Sequence, residues 1–309
     1  MDDSLKMGTK DTMTVSKSDT AYQFALHLCT SFLLSAAHNV LYFVLDFRTP
    51  LIHFLHFFST FCFLLILRSV NCIPKTNLTA KTSDFLAPVL AKLVEVLLAS
   101  LAHSQNRTGE LYLVRIFDCL YTLTVAYVMG REERSQRPEI KYVIPFAIAV
   151  SLSWLEFGQL EYTTISFIAA PLLAISRAVS LLTLKNAYVG TNQGHIEQFC
   201  LVYTGYVSAG LLVPAIISYA LSNAEITASW ESIDYALMSL SVLFMALHLY
   251  SYLWMSLSLS SSTLLILENT KYLGASIAQW MIQNMAHPSI LAFGGKILAA
   301  SALFRICTR

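Results

Sequence analysis

Three pairs of opposite charge, Lys92 with Glu95, Arg115 with Asp118, and Glu268 with Lys271, stand three residues apart inside otherwise apolar stretches. On a helix that spacing places both members of a pair on one face, where each partly neutralises the other. Glu156, Arg177 and Lys296 bring the ionisable groups in or near apolar stretches to nine. At about 3 kcal/mol each, nine charges facing lipid would cost on the order of 25 kcal/mol, so most must face protein or a water-filled cavity. Two chemistries fit. One is interhelical polar contact that fixes packing; the other is a polar cavity at mid-membrane that takes an ionic ligand. Lys296, beside "FGGK", fits close packing and snorkelling. His53 and His56 in "LIHFLHFF" share a helix face, and two histidines alone suit packing or hydrogen bonding better than a metal site.

The chain that carries these groups has 309 residues, 56% hydrophobic and only 13% charged, with a mean hydropathy of +0.59. That composition belongs to a membrane protein. A bilayer core about 30 Å thick asks for roughly 20 apolar residues per helical span. Counted on that basis, the sequence predicts ten spans: Tyr22 to Leu45, Pro50 to Leu67, Phe85 to His103, Thr108 to Met129, Tyr142 to Phe157, Thr163 to Leu184, Phe199 to Leu221, Tyr235 to Ser258, Ser261 to Gln283 and His287 to Ile306. The longest polar connections run from Arg68 to Asp84, Gly130 to Lys141 and Lys185 to Gln198.

Residues 1–20 read as a polar cytoplasmic tail and 21–309 as the membrane domain. The tail alternates acid with base and lacks the apolar core of a cleaved signal, so the first span is expected to be an uncleaved anchor. The six cysteines are scattered and imply neither a disulfide framework nor a metal site. Thirteen lysines and arginines fall on one side of the predicted spans and two, Arg48 and Arg107, on the other, which predicts that both termini are cytoplasmic. Of the two sequons, Asn106 then lies on the non-cytoplasmic side and Asn77 on the cytoplasmic side.

Ten spans divide into two sets of five, and an odd number inserts the second set upside down relative to the first. The expected fold is therefore an all-α integral membrane protein of ten transmembrane helices, built as two inverted five-helix repeats over about 21–158 and 162–307. Arg115, seven residues beyond Thr108, and Lys271, eight beyond Thr263, would then enter from opposite sides to nearly matching depths around one central anion.

The sequence also resembles the drug/metabolite transporter superfamily, in the branch of triose-phosphate translocators and nucleotide-sugar transporters. The likeness rests on "LVRIFDCLYTLTVAYVMGREE", where Arg115 and Asp118 stand at the family's lysine and acid, and on Glu156 in "SLSWLEFGQL" and Arg177 in "LLAISRAVSLL". It continues in "ENTKY", which keeps Asn269 and Lys271 but has Tyr272 where an arginine stands in the family, and in the closing "HPSILAFGGKILAASALFR". Leu181, Leu182 and Thr183 occupy the region where the family has two basic residues.

The resemblance implies that Arg115 and Lys271 bind a phosphorylated anion, with Asn269, Tyr272 and Tyr112 as further substrate contacts. Tyr272 and Tyr112 suit stacking on a base as well as packing. Asp118 and Glu268 would hold the cations when the site is empty, and Lys92, Glu95, Glu156 and Arg177 would pair charges or gate. The expected function is antiport of nucleotide sugars or sugar phosphates across a Golgi or endoplasmic reticulum membrane. The alternative is a protein of transporter fold that no longer transports and serves as a membrane scaffold or regulator. No enzyme motif is present, and no metal or other cofactor is expected. The expected partners are an anionic small molecule and the lipid bilayer, with a homodimer left open. Nucleic acid is not expected, since the formal net charge is +1 with dispersed basic residues.

Overall fold

The computed structural model describes residues 17–45, 49–73, 81–105, 164–191, 195–221 and 231–259, with isolated positions between 264 and 301. These form six helices: α1 (Lys17–Leu45), α2 (Thr49–Ser69), α3 (Thr82–Gln105), α4 (Thr164–Gly190), α5 (Ile196–Leu221) and α6 (Ser232–Ser258). Four contain stretches long and apolar enough to cross a membrane, Pro50–Ser69, Pro171–Gly190, Ile196–Ala220 and Tyr235–Ser258.

The expectation of ten transmembrane helices in two inverted five-helix repeats is thereby corrected to six helices, four of them candidate spans, among the described residues. The windows expected at Tyr22 to Leu45 and Phe85 to His103 are helical, as α1 and α3, although neither is among the four candidate spans found within the described residues. The windows at 108–129, 142–157, 261–283 and 287–306 lie outside the described residues, apart from isolated positions. A smaller correction concerns the polar connection expected from Lys185 to Gln198. There α4 continues through Gly190 and α5 starts at Ile196, and the Lys185 amine donates to the Leu259 carbonyl just past α6, at 2.9 Å.

Local chemistry sets the ends of α2 and α3. At the close of α2, Asn71 takes a left-handed φ of 60°, its N–H donates to the Arg68 carbonyl at 3.2 Å, and the Cys72 N–H donates to Leu67 at 2.9 Å. This is a Schellman cap, which satisfies two carbonyls that the helix leaves open. At the start of α3, the Asp84 carboxylate accepts from the Lys81 N–H while the Asp84 N–H donates to the Lys81 carbonyl, both at 2.9 Å. That reciprocal pair resembles a capping box.

The helices pack α1 on α6, α2 between α5 and α6, and α3 against α4 and α5. Glycines allow two of the close approaches. A Cβ on Gly205 would stand 3.0 Å from the Phe61 ring of α2, and one on Gly210 would stand 3.0 Å from Leu93 of α3. Exchanging the first three helices for the last three leaves the main packing partners unchanged. That relation concerns six helices and does not restore two sets of five.

Specific contacts align the helix ends. Phe85 in the first turn of α3 packs on Phe199 in the first turn of α5, with ring centroids 5.1 Å apart, and Tyr188 near the end of α4 meets the same ring at 5.2 Å. Phe63 of α2 meets Tyr250 of α6 at 6.3 Å, and Lys185 of α4 reaches Leu259. His27 of α1 contacts Ser251 of α6. The starts of α1, α3 and α5 therefore share one end of the bundle with the finishes of α2, α4 and α6.

Burial is reversed relative to a soluble helix. On α3, Leu86, Leu90, Val94 and Leu97 recur at helical spacing and are exposed, whereas Glu95 is only 8% exposed. On α5, Leu212, Val213, Ile216 and Ile217 are exposed around buried Leu211 and Ala215. Apolar side chains outside and charge inside are what a lipid surrounding requires. The protein is membrane-embedded, and its described elements are all helices.

Candidate functional site

Helix geometry alone brings Lys92 and Glu95 together, since residues three apart on α3 share a face. Their Nζ and Oε1 atoms are 2.7 Å apart, a charge-assisted hydrogen bond. Packing of α3 on α4 adds Arg177, whose Nε lies 3.8 Å from the same Oε1. Two cations thus converge on one carboxylate oxygen. Their side chains are 15% and 25% exposed against 11% for Glu95, so the cluster lies largely inside the bundle.

The walls come from α2 and α5. Lys92 Nζ stands 5.8 Å from the centroid of the Phe57 ring, close enough for a cation–π attraction. Phe57 meets the buried Tyr203 edge-on at 6.1 Å, and Tyr203 stacks at 6.4 Å on Phe199. His53 and Tyr203 both lie within electrostatic reach of Glu95. Four helices therefore meet around one buried carboxylate, backed by an aromatic run that leads to the end of the bundle.

A second polar cluster joins α1 to α6. The rings of His27 and His248 stack with centroids 4.2 Å apart and planes 17° apart, and His27 Nδ1 is 3.2 Å from Ser251 Oγ. Tyr252 lies 6.0 Å from His27, centroid to centroid, and within electrostatic reach of Tyr203. Through those two tyrosines the clusters connect across the bundle interior.

Of the residues singled out in the sequence, Lys92, Glu95 and Arg177 are brought together. Arg115, Lys271, Asn269, Tyr272, Tyr112, Asp118, Glu268 and Glu156 lie outside the described residues. His53 and His56 do share a face, with rings 6.1 Å apart, and among the described residues no group of three or more metal-ligating side chains forms. Sequence reasoning missed His27, His248, Ser251 and Tyr203. Their signal was present as polar groups within long apolar helices, but a pairing across 224 residues leaves no local spacing to read.

What the arrangement offers is a buried junction where cations and a carboxylate are held by several helices at once. Such a junction suits either a charged solute or a packing lock that separates when helices move. No family model matches the chain, and no curated protein matches it.

Proposed function

We propose that this chain is a transporter of an anionic solute. The observation that carries the reading is the inward-facing Lys92–Glu95–Arg177 cluster, because ionisable groups retained inside a membrane bundle by default mark a solute path. The sequence likeness to drug/metabolite transporters supports a narrower form: an antiporter of nucleotide sugars or sugar phosphates in the Golgi or endoplasmic reticulum. In that form Arg115 and Lys271, with Asn269, Tyr272 and Tyr112, hold the phosphorylated group. Asp118 and Glu268 compensate the cations in its absence, while Lys92, Glu95, Glu156 and Arg177 pair charges as helices move. The protein is then a carrier and not an enzyme.

Orientation belongs to the same proposal. The end shared by the starts of α1, α3 and α5 carries Lys17, Arg68, Lys81 and Lys185. Excess of Lys and Arg marks a cytoplasmic face, which supports cytoplasmic termini.

A second reading, a membrane scaffold without transport, is favoured by one feature: Glu95 is already engaged by Lys92 at 2.7 Å, as in a structural ion pair. Purified protein in liposomes, tested for uptake of a panel of nucleotide sugars and sugar phosphates, separates the two. Saturable uptake of one class supports transport, and no uptake across the panel supports the scaffold.

A further inference from the structure

At the α1–α6 junction, Ser251 Oγ donates to the His248 carbonyl at 2.9 Å and lies 3.2 Å from His27 Nδ1. His27 is 1% exposed, and its ring lies face to face with that of His248, 4.2 Å away.

We propose that this stack is a proton-binding site that acts as a latch between α1 and α6. One proton, taken from water onto a ring nitrogen, is tolerated, because an imidazolium over a neutral aromatic ring is attractive. A second proton places two positive rings 4.2 Å apart, His27 buried and His248 half-buried, and their repulsion separates the helices. Tyr252 of α6 lies 6.0 Å from His27, and the helices packed on α6 carry His53 and His56 (α2), Tyr203 and Glu197 (α5) and Arg177 and Lys185 (α4). Asp19 and Glu197 sit in the first turns of α1 and α5, α6 carries its one acid at Asp234 near its start, and α2 and α4 carry none. Mid-bundle carboxylate is thereby limited, among the described residues, to Glu95 of α3, which Lys92 and Arg177 already engage. The latch stands apart from the transport reading and operates whether or not a solute is carried.

Hydrogen–deuterium exchange on the full-length protein in lipid nanodiscs tests it, at about pH 7.5 and about pH 5.5, the range over which histidine changes charge. After correction for the intrinsic pH dependence of amide exchange, peptides around His27 and His248 should exchange roughly tenfold faster at the lower pH, with little change in α4. His248→Phe keeps a stacked ring but leaves only one protonatable partner, and should abolish the difference. If that variant does not fold, His248→Gln serves the same purpose by removing the second charge. Equal corrected exchange at both pH values in the wild type, or an undiminished acid effect in the variant, overturns the latch.

Discussion

The Arg177 guanidinium of α4 stands 3.8 Å from the Glu95 carboxylate of α3, at the same oxygen that Lys92 holds at 2.7 Å. One carboxylate therefore serves two helices. Removing it leaves two cations facing each other in a buried site, and stranding a buried charge costs more than the intact pair contributes. Glu95→Gln is expected to lower stability by about 3 kcal/mol, read as a fall in the thermal-unfolding midpoint in detergent. Arg177→Met should cost less, because Glu95 keeps its hydrogen bond to Lys92. A Glu95→Gln protein as stable as the wild type would show that the cluster does not bind α3 to α4.

Two glycines of α5 should respond differently to the same substitution. At Gly205 a new Cβ meets two atoms of the Phe61 ring at 3.0 and 3.2 Å, and a ring moves only as a whole. At Gly210 it meets the terminal methyl groups of Leu93 at 3.0 and 3.2 Å, which can yield by rotation. Alanine gains about 1 kcal/mol of helix propensity over glycine at either site. Gly210→Ala is expected to be near neutral, while Gly205→Ala loses about 1 kcal/mol net through overpacking. Phe61→Leu in the Gly205→Ala background should restore part of the loss in thermal unfolding. Equal effects at the two positions would contradict this account of the α2–α5 and α3–α5 approaches.

Asn71 carries the turn that ends α2. Its φ of 60° suits asparagine or glycine and strains a β-branched residue. Asn71→Gly should leave thermal stability nearly unchanged, whereas Asn71→Val should cost about 1–2 kcal/mol. Equal midpoints for the two variants would mean that the Schellman cap does not hold the end of α2.

The shared helix ends make orientation testable. A protease site inserted between α2 and α3, at 74–80, is expected to be cut from the cytoplasmic side of sealed vesicles, as is a tag at the amino terminus. Protection of either site until the vesicles are opened would reverse the proposed orientation.

Much of the fold was legible in the sequence because apolar length is a local signal. The windows from Pro50 to Leu67 and from Tyr235 to Ser258 fall within three residues of the ends of α2 and α6. The same signal counted ten spans, where six helices, four of them candidate spans, stand among the described residues. The Lys92–Glu95 pair was readable from its spacing. Its third member was not, since Arg177 joins only when α3 packs on α4, and local spacing carries no record of such a contact. His27 with His248 was hidden for the same reason, and His27 additionally has the look of an ordinary polar interruption near the start of a helix.

The central claim, carriage of an anion across the membrane by exchange, is tested most directly by counterflow. Proteoliposomes preloaded with a nucleoside monophosphate or with inorganic phosphate are compared with empty ones for uptake of labelled nucleotide sugar or sugar phosphate. If the bundle changes conformation more readily with its buried cations neutralised by a bound anion, uptake into preloaded vesicles should greatly exceed uptake into empty ones. Equal uptake in the two would contradict exchange, and no uptake of any phosphorylated solute in either would contradict transport itself.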